Sequence, residues 1–203
     1  MQFILNLKIN GYQLLGIPWN IFLAVIPCVI AYYMAKAIGK KKWKQLKGQQ
    51  LAFILLFLIW LLMLPNTAYL FTIVRHLVDY CGDYDKWRVC ADGSWLVMFF
   101  FTYALIGLPT FYYAIRKMGS IFEIIFSKNS SKILPIITIP LTTVGVMFGL
   151  YSRFNSWDIF ISPCGILRTA GTYFTEKYLL IDFIVFTICL YFIYYLTGRL
   201  LKK

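Results

Sequence analysis

The sequence predicts an all-α membrane protein, a polytopic bundle of five transmembrane helices that fills residues 1–203 as a single domain. Three observations carry this. The chain is 61% hydrophobic and 14% charged, with a mean hydropathy of +0.72, where a soluble domain has about a quarter of its residues charged. That is too apolar for a water-facing surface and too rich in Leu, Ile and Phe for disorder. Five apolar runs, 20–38, 50–70, 95–115, 133–152 and 179–198, each come near the roughly 20 residues a helix needs to cross a hydrocarbon core about 30 Å thick. They are apolar on every face, whereas the strands of a membrane barrel alternate at period two. Finally, the charge is one-sided along this five-span pattern.

Taken in order, residues 1–18 hold only a short apolar stretch, Phe3 to Leu7, followed by Lys8. It is too short to cross and is expected to lie along the outer interface. Nothing basic precedes it and no small-residue cleavage site follows, so a cleavable signal peptide is not expected. The first span, 20–38, begins beside Trp19, an interfacial anchor, and is followed by Lys36, Lys40, Lys41, Lys42, Lys44 and Lys47, with Trp43 just past its inner end. The second, 50–70, contains Pro65, which removes a donor and disfavours helix at Leu64, so a kink or break is expected there. The third, 95–115, opens at Trp95 and closes at Arg116 and Lys117. Residues 118–132 read as a short amphipathic connector on the inner face, ending in a Ser/Asn turn with Lys128 and Lys132. The fourth, 133–152, carries Pro135 and Pro140 as kink sites, and the fifth, 179–198, ends in Arg199, Lys202 and Lys203.

One side of this arrangement collects 13 Lys and Arg against a single acid, Glu123, while the other balances seven cations with seven acids. The whole net charge of +12 therefore falls on one side. Lys and Arg are retained in the cytoplasm, so the N-terminus is placed outside and the C-terminus inside the cytoplasmic membrane. The cations hug helix ends and do not interleave along a groove. Anionic lipids are thus the expected partner and nucleic acid is not.

In so apolar a chain, polar residues at membrane depth mark the site. The segment 64–80, LPNTAYLFTIVRHLVDY, places Asn66 where it can satisfy backbone groups freed by Pro65. If helix resumes, Tyr69, Thr72, His76 and Asp79 share a face at i, i+3, i+7 and i+10. The segment 149–158, GLYSRFNSWD, brings Arg153, Asn155, Ser156, Trp157 and Asp158 to the same outer level. Two polar clusters at neighbouring helix ends point to a shared outward-facing pocket.

These two segments resemble the paired signature of an uncharacterised bacterial membrane-protein family, domain of unknown function thirteen-sixty-one. There the pattern is Leu-Pro-Asn-Ala-Pro-Tyr, a Thr-Asp pair and His-Leu, then Arg-x-Asn-Ser-Trp-Asp. Leu64, Pro65, Asn66, Tyr69, Thr72, His76 and Leu77 fit the first motif, and Arg153, Asn155, Ser156, Trp157 and Asp158 the second. Ala68 stands in place of the second proline and Ile73 where the family tends to have aspartate. The resemblance implies a multi-pass fold and a site; if that aspartate is catalytic in relatives, this chain has either lost the activity or uses Asp79 instead. It implies no reaction.

Two uses of the pocket stay open. In one, Asn66, Tyr69, Thr72, Arg153, Asn155, Ser156 and Trp157 bind a lipid headgroup or a partner segment, and the protein is an accessory or assembly factor of the cell envelope. In the other it is a membrane-embedded hydrolase or transferase, with His76 as general acid or base oriented by Asp79 or Asp158, Ser156 as nucleophile and Arg153 on a phosphate or oxyanion. The plainer reading of the same residues is a clamp in which His76 and Arg153 bond broken backbone and Arg75 pairs with Asp79. A metal on His76, Asp79 and Asp158 lacks a paired ligand motif, and no metal or cofactor is expected. Cys28 and Cys189 read as packing residues within spans, Cys81 and Cys90 as a candidate disulfide around the acidic loop, and Cys164 as unpaired. No internal repeat and no ionisable residue at mid-membrane suggest a carrier, although a protein partner in the membrane stays open.

Overall fold

Without water at membrane depth, each long apolar run must close its own backbone hydrogen bonds, and each becomes a helix. The computed structural model describes residues 8–9, 12–13, 16–39, 45–46, 48–75, 95–156 and 158–201. In chain order these form strands β1 (Lys8–Ile9) and β2 (Tyr12–Gln13), helices α1 (Gly16–Ile38), α2 (Gln50–Met63) and α3 (Pro65–Tyr69), and a 3₁₀ segment (Leu70–Arg75). There follow α4 (Trp95–Ile125), α5 (Ser130–Tyr151), α6 (Asp158–Ile161), α7 (Pro163–Thr175) and α8 (Lys177–Leu200). Among the described residues, five helical stretches are long and apolar enough to cross a membrane: Gly16–Ile38, Gln50–Arg75, Val97–Ile125, Ser130–Tyr151 and Lys177–Leu200. The described residues are thus all-helical apart from one two-residue strand pair, with the five spans the composition predicts.

The spans differ from expectation at their edges. Within the N-terminal stretch, β1 and β2 pair antiparallel, Lys8 opposite Gln13 and Ile9 opposite Tyr12. Helix α1 starts at Gly16, four residues before the expected edge. The expected amphipathic connector over 118–132 does not form: α4 runs on for 31 residues to Ile125, and the turn occupies 126–129. Its extension is driven by apolar side chains at helical spacing. Met118, Ile121 and Ile125 are buried, and Phe122 packs its ring 5.1 Å from Phe57 and 6.0 Å from Phe53 of α2. Helices α6 and α7 were not foreseen, because neither is long enough to register as a span.

Helix α4 is the central element, packed against α1, α5, the 3₁₀ segment and α8. The buried core runs through Ala31 and Met34 of α1, Trp60 of α2, and Phe111 and Ile115 of α4. Prolines 135 and 140 sit inside a continuous α5. Pro140 has no N–H for the carbonyl four residues back, and the Tyr191 hydroxyl of α8 donates to that carbonyl, Ile136 O, at 2.7 Å. The same antiparallel pair is joined by Thr187 Oγ1 donating to Thr143 Oγ1 at 3.0 Å and by Tyr151 OH donating to Asp182 Oδ2 at 2.6 Å. Three hydrogen bonds thus tie α5 to α8 along its length. Where apolar contact offers little driving force between helices, such bonds supply it.

Of the cysteines read as packing residues, Cys28 is half-buried, its thiol 3.3 Å from Thr110 O. Cys189 is exposed on α8, at the edge of a groove that α8 forms with α5, and so does not pack in the core. Cys164 is free and exposed. Cys81 and Cys90 lie outside the described residues.

Candidate functional site

Pro65 shapes the first half of the site. The helix axis is retained through Leu64, which keeps helical dihedrals of −56° and −39°, but the bonding pattern tightens. The Thr67 amide bonds Leu64 O at 3.0 Å, one residue nearer than an α-helix would have it. This releases Met63 O, which the Asn66 side chain takes at 3.0 Å, while Thr67 Oγ1 donates to Leu64 O at 2.7 Å. The break expected at Pro65 is therefore a local tightening repaired by the side chains of the next two residues.

After the α-helical turn Pro65–Tyr69 the chain continues as the 3₁₀ segment, with about 3.0 residues per turn in place of 3.6. That spacing aligns Tyr69 with Thr72 and Arg75. Arg75 Nη2 donates to Tyr69 OH at 3.2 Å, and Thr72 Oγ1 donates to Tyr69 O at 2.7 Å. His76 and Asp79 lie outside the described residues.

The second half is built by the end of α5. Arg153 has a φ of 57°, the one left-handed non-glycine residue among those described. It folds the chain back so that the Phe154 amide reaches Phe148 O at 3.1 Å, and the two Phe rings meet 6.0 Å apart. Left-handed caps of this kind close helices, usually with glycine. Holding arginine there costs about 1–3 kcal/mol. Beyond it, Asp158 Oδ2 accepts the Asn155 amide at 2.6 Å, and the Tyr173 hydroxyl of α7 donates to Met147 O at 3.3 Å and shares a 2.6 Å bond with Ser152 Oγ. Burial pushes the Tyr173 phenol above its ordinary range, and the bond to Ser152 pulls it partly back.

The halves meet in one contact, Asn66 Nδ2 donating to Ser156 Oγ at 3.2 Å across 90 residues of sequence. Close approach of the backbones permits it. A Cβ added to Gly145 would lie 2.3 Å from Pro65 Cγ, and one on Gly149 would lie 3.1 Å from the Tyr69 ring. Gly145 and Gly149 are one helical turn apart, and so are Pro65 and Tyr69 opposite them. This Gly-x-x-x-Gly pairing was missed from sequence. The signal was present as GVMFG inside an apolar run.

Around this contact opens a cleft of about 460 Å³. Asn66, Tyr69, Arg153, Asn155 and Ser156 line it together, with apolar walls that include Leu61, Leu141 and Phe148 and with Trp19 and Asn20 of α1 at one side. Two expected members are placed differently. Thr72 lines a second cleft, with residues of α5 and α8. Asp158 is not among the lining residues of the first cleft; its carboxylate is turned to Asn155. Trp157 lies outside the described residues. The position where the family tends to have aspartate, Ile73, is fully buried with Ala24, Leu70, Phe100 and Tyr103. It belongs to the core and not to the cleft.

Fold and site define a five-span helical membrane protein with a polar cleft where the second and fourth spans end. Its sequence matches, over residues 19–193, a family described as protein of unknown function (DUF1361), and the chain belongs to that family. No curated protein and no solved structure matches it.

Proposed function

We propose that the cleft holds the polar headgroup of a membrane lipid at the outer leaflet of the cytoplasmic membrane, and that the protein serves there as an accessory or assembly factor of the envelope. The observation that carries this is the Asn66–Ser156 bond, which draws two polar segments into one concavity with Arg153 on its wall. Hydrogen-bonding side chains, a cation and apolar walls at a helix end are the chemistry a headgroup requires. The one-sided cation distribution supports an orientation with this end outside.

The test is native mass spectrometry of the full chain extracted in native lipid discs. Wild type should retain a stoichiometric lipid, and Arg153→Gln should lower its retention about fivefold, the equivalent of one cation near an anionic headgroup. Equal retention in both would sink the proposal.

A further inference from the structure

The second cleft, of about 590 Å³, lies between α3 with its 3₁₀ extension, α5 and α8. Its lining is graded from polar to apolar. At one end are Thr72, Arg75 and Tyr151, all at the close of spans that finish on the same side of the bundle. At the other are Val146, Leu190 and Ile193. From Val185 to Ile193 the α8 wall runs about 12 Å at 1.5 Å per residue, a large part of one leaflet's share of a core about 30 Å thick. Along α8 the edge is open. Val185 is 52% and Ile188 62% exposed, on the surface that this span turns to lipid.

Water fills such an apolar slot poorly, whereas an acyl chain from the adjoining bilayer fills it without leaving an apolar medium. The chain gains nothing by the transfer, since lipid tails are as apolar as the protein wall. Any choice among lipids must therefore come from the polar end. There Arg75 is the only charged side chain among the described lining residues. Its guanidinium gives one hydrogen bond to Tyr69 OH, and its planar fork has five donors, suited to a phosphate. Among the described residues, the acid at this end, Asp182, is engaged by the Tyr151 hydroxyl at 2.6 Å.

We infer that this groove is a binding site for one acidic glycerophospholipid, its acyl chain along α5 and α8 and its phosphate on Arg75. The site shares no lining residue with the first cleft and stands whether or not that cleft takes a headgroup.

The experiment uses the full chain in nanodiscs of equal dioleoyl phosphatidylglycerol and dioleoyl phosphatidylcholine, with retained lipids counted by native mass spectrometry and folding checked by circular dichroism. Wild type should retain one phosphatidylglycerol in preference. Arg75→Gln should reduce that preference about fivefold, and Cys189→Trp, which fills the groove from its exposed edge, should displace the lipid. If Arg75→Gln does not fold, the Cys189→Trp result decides alone. Equal retention of the two lipids by wild type, a preference unchanged in folded Arg75→Gln, or a preference lost in Arg153→Gln instead would each overturn the inference.

Discussion

Pro65 rests directly on Gly145: a Cβ on that glycine would stand 2.3 Å from the proline Cγ. The proline ring is rigid and the opposing surface is helix backbone, so neither can yield without moving a span. Gly145→Ala should therefore destabilise the protein by about 1–3 kcal/mol, the range for overpacked cores. Gly149→Ala, with its Cβ 3.1 Å from the Tyr69 ring, should cost less, because the ring can shift. Gly171→Ala, with nothing within 4 Å, should be neutral or stabilising by up to about 1 kcal/mol. Reversible unfolding in mixed detergent micelles measures all three, and a Gly145→Ala no worse than Gly171→Ala would show that the spans do not meet as described.

Arg153 offers a separation of stability from binding. Its left-handed φ of 57° is a glycine conformation, so Arg153→Gly should keep or raise stability, by about 1 kcal/mol at most. The same change removes the cation from the cleft wall and should cost the headgroup-linked retention. Arg153→Ala should lose retention without the gain in stability. Unfolding midpoints and lipid counts on the two variants check this together, and a Gly variant that unfolds more readily than Ala would refute the strained cap.

The spans were legible because a bilayer imposes length and apolarity on them. Helix α7 was not, because one of its sides packs Ile166 and Tyr173 while Leu167 stays exposed, and a half-packed helix of 13 residues meets no span criterion. The C-terminal extension of α4 was hidden behind Arg116 and Lys117, which mark a boundary by charge although the apolar spacing continues through Met118, Ile121 and Ile125. In the site, the use of Asn66 on backbone freed by Pro65 was legible, since polar groups in an apolar chain must find partners, but its bond to Ser156 was not. Arg75 was not, because its alignment with Tyr69 depends on the 3₁₀ turns over Leu70–Arg75, which the apolar pattern does not mark. Gly145 and Gly149 carry no polar signal. Their role appears only once the proline opposite them is placed.

Tyr173 links the loop after α5 to α7, and its chemistry predicts a pH dependence. Burial raises the phenol above its ordinary value in the folded state. A group whose folded pKa is raised contributes stability that is fully present below its unfolded pKa, near 10 for tyrosine, and lost as pH rises through the folded value. Tyr173→Phe removes the bonds to Ser152 Oγ and Met147 O and should cost about 1 kcal/mol at neutral pH. The stability difference between wild type and Tyr173→Phe should be constant from neutral pH to about 9 and shrink above 10. A difference independent of pH to 12 would exclude the buried phenol as its source.

A coupling between Pro140 and Tyr191 follows from the one hydrogen bond that the proline removes. Ile136 O has no amide partner at position 140 and takes the Tyr191 hydroxyl at 2.7 Å instead. In wild type, Tyr191→Phe leaves that carbonyl unpaired at membrane depth, and the expected loss is about 0.6–1.7 kcal/mol, the range of hydrogen bonds measured between membrane helices. In a Pro140→Ala background the new amide supplies the bond within α5, and Tyr191→Phe should then cost little. The two single variants and the double variant form a thermodynamic cycle whose coupling energy should approach the whole Tyr191→Phe loss. Equal costs in both backgrounds would show that the hydroxyl does not stand in for the missing amide, and the attachment of α8 to α5 would have to rest on the Thr143–Thr187 and Tyr151–Asp182 bonds alone.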